Sequence, residues 1–197
     1  MATRDTGTEK LIKDTAKHVF FAEGKLHATT QDIADAAGIS RTSLHYYYRS
    51  KDVLMKQVFN EAMTNLSSRL YGVMGSELLF KEKIEKMIAL FLTEATAYPY
   101  QETFLITEIL SENEDIYRQK EKGYPHIKAF LKEIEHEMKA GNIVTMRPVQ
   151  FMLNLFSLTS YPLIMRPLHK RLFNLSDEQF NRLIHERKKL IVEMIFR

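Results

Sequence analysis

The stretch that most narrows what this chain can fold into runs from Thr29 to Lys51, TTQDIADAAGISRTSLHYYYRSK. It holds two short helical patterns separated by a glycine. In the first, Thr30 offers a capping hydroxyl, and Ile33, Ala34 and Ala37 recur on one face. Gly38 has the backbone freedom that a sharp turn needs, and Ile39 sets an apolar plug between the helices. Ser40 can cap the second helix, which continues from Arg41 to Tyr48. Two helices joined this way make a helix-turn-helix, whose second helix enters the major groove of DNA.

The second helix carries side chains suited to that groove. Arg41 can reach a base edge or a phosphate, while Thr42, Ser43, His45 and Tyr47 bear small or flat hydrogen-bonding groups. Lys51, opening the next helix, is placed as a phosphate anchor. Tyr46 and Tyr48 are expected to pack inside, and His45 and Tyr47 to face outward. The net charge of +3 adds little. In this region placement matters more than total charge: Asp32 and Asp35 fall on the helix lying across the groove, and Arg41, Arg49 and Lys51 face the backbone.

From Ile12 to Leu54 the chain resembles the DNA-binding domain of the TetR (tetracycline-repressor-like) family of bacterial regulators. The resemblance rests on Ile12, Ala16 and Phe20, Gly24, the Thr29-Thr30 pair, Ile33-Ala34, Ala37-Gly38-Ile39-Ser40, Leu44, Tyr47, Lys51 and Leu54. It covers roughly the first quarter of the chain. It implies an all-α protein: an N-terminal three-helix DNA-binding domain with a helix-turn-helix, joined by a long helix to a C-terminal helical ligand-binding and dimerisation domain. It also implies a homodimeric repressor answering to a small-molecule effector. Carried over position by position, the DNA contacts fall on Thr30, Gln31, Arg41, Thr42, Ser43, His45, Tyr47 and Lys51. His45 departs from the family, which mostly has tyrosine there, so its phosphate contact is the least secure of the set.

Periodicity fills in the rest. A first helix is expected from about Thr8 to Glu23 with Leu11, Ile12, Ala16, Val19 and Phe20 buried, ended by Gly24. Ser50 caps a long helix that keeps its apolar spacing until Gly72 and Gly75. The domain boundary falls inside it, giving a head at residues 1–55 and a body at 56–197. A core of roughly fifty residues is thin, so the head should lean on the body. Next comes a helix from Ser76 to Tyr98 with Leu79, Ile84, Met87, Ile88, Phe91 and Leu92 in register. Pro99 breaks it, a further helix follows, and Gly123 with Pro125 marks another break.

Two final helices are expected, one starting near Pro148 and kinked or ended by Pro162, one capped by Ser176 and Gln179. Their broad apolar faces suggest a dimer surface of Phe151, Leu155, Leu158, Phe180, Leu183, Ile184, Arg187, Ile191 and Met194. A dimer would set two reading helices about 34 Å apart, on successive major grooves of a palindrome. With the ligand implied by the family resemblance, Met87, Phe91, Tyr98, Phe104, Phe130, Met152 and Phe156 are candidates for an apolar pocket.

Other chemistries find little footing. There is no cysteine, which removes disulfides and thiolate metal sites, and no metal or cofactor is expected. No Gly-rich phosphate loop, paired metal-binding histidines or nucleophile elbow occurs, so enzymatic activity is not expected. A set of Glu108, Glu112 and His136 is the best metal site the helices could assemble, and a weak one. No apolar run reaches membrane-spanning length and no signal-peptide core opens the chain, so the expected location is the cytoplasm. The competing reading is a DNA-organising or partner-binding helix-turn-helix protein with no inducer.

Overall fold

The computed structural model describes residues 6–110 and 114–196, the side chains from 108 to 123 aside. The elements are α1 (Thr6–Lys17), α2 (Thr30–Ala37), α3 (Arg41–Tyr47), α4 (Lys51–Met74), α5 (Phe80–Ala97), α6 (Gln101–Leu110), α7 (Glu114–Lys139), α8 (Pro148–Ile164), α9 (Arg166–Leu172) and α10 (Asp177–Ile195). They build two apolar cores that share α4. Leu54, Met55, Val58 and Phe59 of its first half belong to the head core, and Leu66, Leu70 and Met74 to the body core. Gly72 lies inside the helix, which ends at Gly75.

The first helix departs from simple periodicity. After Lys17 the backbone opens into a π-helical turn, His18–Ala22, with Glu23 N–H donating to the His18 carbonyl at 3.0 Å. An added residue per turn rotates the downstream positions by about 100°. Val19, Phe20 and Phe21 are therefore all buried in succession. Leu11, expected inside, is 45% exposed, because Ile12 and Ala16 set the phase against α4. Leu79 is likewise outside, as the N-cap residue of α5, and Phe80 takes the buried position.

The break expected at Gly123 and Pro125 does not occur. α7 runs through Pro125 as one helix, held on α4 and carrying His126 stacked on Tyr71 at 5.3 Å. A proline removes only one rung of the ladder, which packing can outweigh. Its neighbour across the body, Lys83 on α5, is buried and donates to both carboxylate oxygens of Glu133 at 2.8 and 2.9 Å.

Three helices, not two, complete the chain. Pro162 sits inside α8 and cannot donate to the carbonyl of Leu158, four residues back. Arg187 of α10 fills that gap, donating from Nε at 3.0 Å and Nη2 at 2.6 Å to the Leu158 oxygen. Partial burial holds the Arg187 pKa below its ordinary value. Arg187→Leu should cost about 1–3 kcal/mol by stranding that carbonyl. In a Pro162→Ala background the restored amide should reduce the cost. Denaturant unfolding of the four proteins in this cycle measures the coupling, and strictly additive losses would show that the carbonyl is not the point of contact.

The supposed dimer surface divides in two. Phe151, Leu155, Phe180, Ile184 and Ile191 are buried in the body core, because that side of α10 packs on α5 and α8. Leu183, Leu190 and Met194 form a second row on the adjoining flank of α10, each about half exposed. Leu158 and Arg187 are intermediate.

Candidate nucleic-acid interface

The head is assembled from local rules. Thr29, not Thr30, caps α2: its hydroxyl accepts from Asp32 N–H at 3.2 Å, and the Asp32 carboxylate accepts from the Thr29 amide at 2.7 Å. The same amide and hydroxyl hold the Asp32 carboxyl below its usual range. This reciprocal box satisfies two donors at a helix start. It also leaves Thr30 one residue inside the helix and buried, which removes its side chain from the presented surface. Gly38 ends α2 at φ +68° with open space around it, so glycine is required there by conformation and not by crowding. Ile39 N–H then donates to the Ala34 carbonyl at 3.0 Å, closing the turn.

α3 is pinned from below by Leu44, fully buried, and by Tyr48, whose hydroxyl donates to Glu9 at 3.2 Å. Ser40 caps it, accepting from Ser43 N–H at 3.1 Å. With that phase fixed, Arg41, Thr42 and Tyr46 are exposed, and Ser43, His45 and Tyr47 are half-buried. Tyr46, expected inside, is 60% exposed and sits edge-on to Tyr47 at 5.2 Å, because Leu44 and Tyr48 already occupy the inward face. Arg41 Nε donates to His45 Nε2 at 3.3 Å, one helical turn away. Gln31 is exposed on α2 and donates to Asp35 at 2.7 Å. Lys51 reaches back to the Leu26 carbonyl at 3.3 Å, so its ammonium borders the loop between α1 and α2. Arg41, Thr42, Ser43, His45 and Tyr47 thus come from one short helix, with Gln31 and Lys51 supplied by its neighbours.

Periodicity alone does not show how the head is fastened. Tyr100, at the bend before α6, donates its amide to the Phe21 carbonyl at 3.1 Å, and its ring lies where a Gly24 side chain would be, 2.6 Å from an added Cβ. Phe104 of α6 is a member of the head core. Lys17 pairs with Glu94 of α5 at 2.9 Å under the Tyr98 ring. The clues available in the sequence were an aromatic pair after Pro99 and a glycine at the end of α1, but no motif joins them.

The proposed pocket residues are dispersed. Met87, Phe130 and Met152 are closed inside the body core, and Phe104 belongs to the head. Tyr98 packs on the head core, while Phe91 and Phe156 meet edge-on at 5.6 Å and are only partly buried. A cavity of about 410 Å³ in the body lies elsewhere, between the loop after α7, α8 and the end of α10, bordered by Met146, Asn154, Leu158 and Met194. Of the weak metal set, Glu108 and Glu112 lie outside the described side chains, and His136 is exposed on α7. Among the described residues no helix is long and apolar enough to cross a membrane.

Residues 12–58 match the model of the bacterial regulatory proteins of the tetR family. A curated relative, the HTH-type transcriptional repressor KstR2 of Mycolicibacterium smegmatis, is 30% identical over 82 residues, 41% of this chain. That match spans only 38% of the relative's own length. Among solved structures, a TetR/AcrR-family transcriptional regulator from Thermobifida fusca superposes with a TM-score of 0.64 at 13% identity, covering 95% of this chain and 97% of that one. The fatty acid degradation regulator FadR of Bacillus halodurans superposes at 0.60 with 15% identity, over 96% and 97% of the two chains. Residues 12–58 thus match the tetR family of bacterial regulatory proteins, and over nearly its whole length the chain has the fold of solved TetR/AcrR-type regulators.

Proposed function

We propose that this protein is a cytoplasmic transcriptional repressor that binds a palindromic operator as a homodimer and is released by a small apolar or amphipathic molecule. The observation that carries this reading is α3, whose inner face is locked by Leu44 and Tyr48 while Arg41, Thr42 and Tyr46 stand outside. A helix held so rigidly with its polar side outward has the form of a groove reader. The division into a DNA-reading head and a ligand-binding, dimerising body follows the two cores joined through α4.

Dimerisation is supported by the half-exposed flank of α10, where Leu183, Leu190 and Met194 recur at helical spacing, together with exposed Leu153 and Tyr161 on α8. Apolar rows of this kind on two adjacent helices suit a four-helix bundle built from two copies. The effector enters the body by parting the half-buried Phe91–Phe156 pair, since Met87, Phe130 and Met152 are closed in the body core and Phe104 and Tyr98 pack with the head. Its effect on DNA binding is bounded by its differential affinity for the two arrangements of the heads.

Capture of genomic fragments by the purified protein tests the reading. Enrichment of one palindromic site with half-sites one turn apart is the expected result, and recovery without sequence preference counts against it. On the recovered site, Arg41→Ala should cost about 1–3 kcal/mol and relax preference at one position per half-site. Lys51→Ala should weaken all DNA alike and lower the salt slope by about one. If no metabolite extract shifts operator affinity, the DNA-organising alternative replaces the inducible one.

A further inference from the structure

We infer that His45 is a positioning residue: by accepting the Nε–H of Arg41, it holds that guanidinium in place and so helps decide which base pair the second helix selects. The inference rests on the DNA-reading role proposed above and gives His45 a different part from a phosphate contact. Arg41 is the first residue of α3, the end of a reading helix that meets base edges. His45 lies four residues on and therefore beside it on the same face. The two side chains meet through Nε and Nε2 at 3.3 Å.

The choice of nitrogen matters. A guanidinium tied through Nε keeps both terminal amines as a parallel fork, the edge that pairs with two acceptors at once. Among the described residues Arg41 has no other partner, so the fork is free for guanine O6 and N7. For Nε2 to accept, the ring must be neutral with its proton on Nδ1. His45 is half-buried while Arg41 is exposed, which makes the histidine the better-fixed member of the pair. Leu44, between them in sequence and fully buried, sets the angle at which both leave the helix. Restricting Arg41 before contact lowers the ordering cost of the base contact and penalises other poses.

Two variants isolate the acceptor. His45→Phe keeps a flat ring of similar bulk and removes it, whereas His45→Gln restores an acceptor on a chain long enough to reach Nε. Full-length proteins are titrated with the captured operator and with fragments carrying each alternative base pair in one half-site. Arg41→Ala identifies the position that Arg41 reads. At that position His45→Phe should reduce the preference for the native base pair about 2- to 13-fold, the range for one freed side chain, and His45→Gln should return it. Preferences elsewhere should not move. A His45→Phe loss that is equal for every fragment would assign His45 to a phosphate and overturn the proposal, as would an unchanged preference. If Arg41→Ala flattens no position, the proposal falls together with the reading face, although site-specific binding by the wild type would still uphold the repressor reading. Thermal unfolding of both His45 variants, expected to match the wild type, separates recognition from folding.

Discussion

Phe104→Ala should destabilise the protein by about 3–5 kcal/mol, and the loss should appear at the seam between head and body. Phe104 is on α6, far along the chain from the head, yet it is only 7% exposed and belongs to the head core. Its ring lies 5.5 Å from Phe21 in the π-helical turn and 4.9 Å from Phe59 on α4, edge-on to the latter. Truncation removes the ring that its two aromatic neighbours share and leaves a cavity that the helices on both sides cannot close. The polar contacts nearby depend on the same seam. Gln101, next to Tyr100 on the bend, is 2% exposed, and among the described residues its Oε1 has no hydrogen-bond partner while Nε2 meets only the Met63 sulfur at 3.8 Å. An unmet buried acceptor costs about 1–3 kcal/mol, so this contact is held shut by apolar packing against a polar defect. Loss of Phe104 should therefore speed hydrogen exchange at the Tyr100 amide, which bonds to Phe21, well before it affects amides in the middle of α5. Leu79→Ala, at a side chain 74% exposed, is the control and should lie within about 0.5 kcal/mol of the wild type. Equal acceleration across α5 and the seam in Phe104→Ala would mean that head and body unfold as one unit.

How much of this was legible in the sequence depends on which force decided each feature. The turn at Gly38 and the caps at Ser40, Ser50 and Ser176 are local, and they stand where the residue types place them. The cap of α2 fell one residue early, on Thr29, because Asp32 can return a bond only from the third helical position. Periodicity went wrong where the period changed. A π-helical turn shifts the phase after Lys17, so Phe21 joins Val19 and Phe20 inside, and no count by 3.6 carries that shift. α10 shows a further limit. Its two apolar rows, Phe180-Ile184-Ile191 and Leu183-Leu190-Met194, are equally periodic, and only its neighbour α5 determines which row is core. The candidate pocket failed for the same reason: large apolar residues at helical spacing are what a packed core and a cavity wall both look like. On α3, Tyr48 is inside as expected, but Tyr46 and Tyr47 change places: Tyr46 is exposed, and Tyr47, expected to face outward, packs partly against the head core, because a run of three tyrosines cannot all share one side of a helix.

Glu133→Ala should be nearly as damaging as the loss of Phe104, whereas removal of its partner should be mild. Lys83 stands among exposed lysines of α5, but it shares the phase of Phe80, Ile84 and Met87 and is only 6% exposed. Its ammonium has both oxygens of Glu133 on α7 within hydrogen-bond range. Taking the carboxylate away leaves a cation in an apolar wall with no described counter-ion, at a cost of about 3–5 kcal/mol. Lys83→Met removes the charge at its buried end and fills the same channel. The carboxylate it leaves behind is on a side chain 28% exposed and can still be hydrated. The double replacement Lys83→Met with Glu133→Leu should be neutral or stabilising, by up to about 1–4 kcal/mol, because a buried ammonium and its partly desolvated carboxylate are exchanged for packing between α5 and α7. Denaturant unfolding of the three variants gives the order directly. Equal losses for Glu133→Ala and Lys83→Met would show that the pair acts as an exposed bridge, worth at most about 1 kcal/mol from either end, and that the wall around Lys83 admits water.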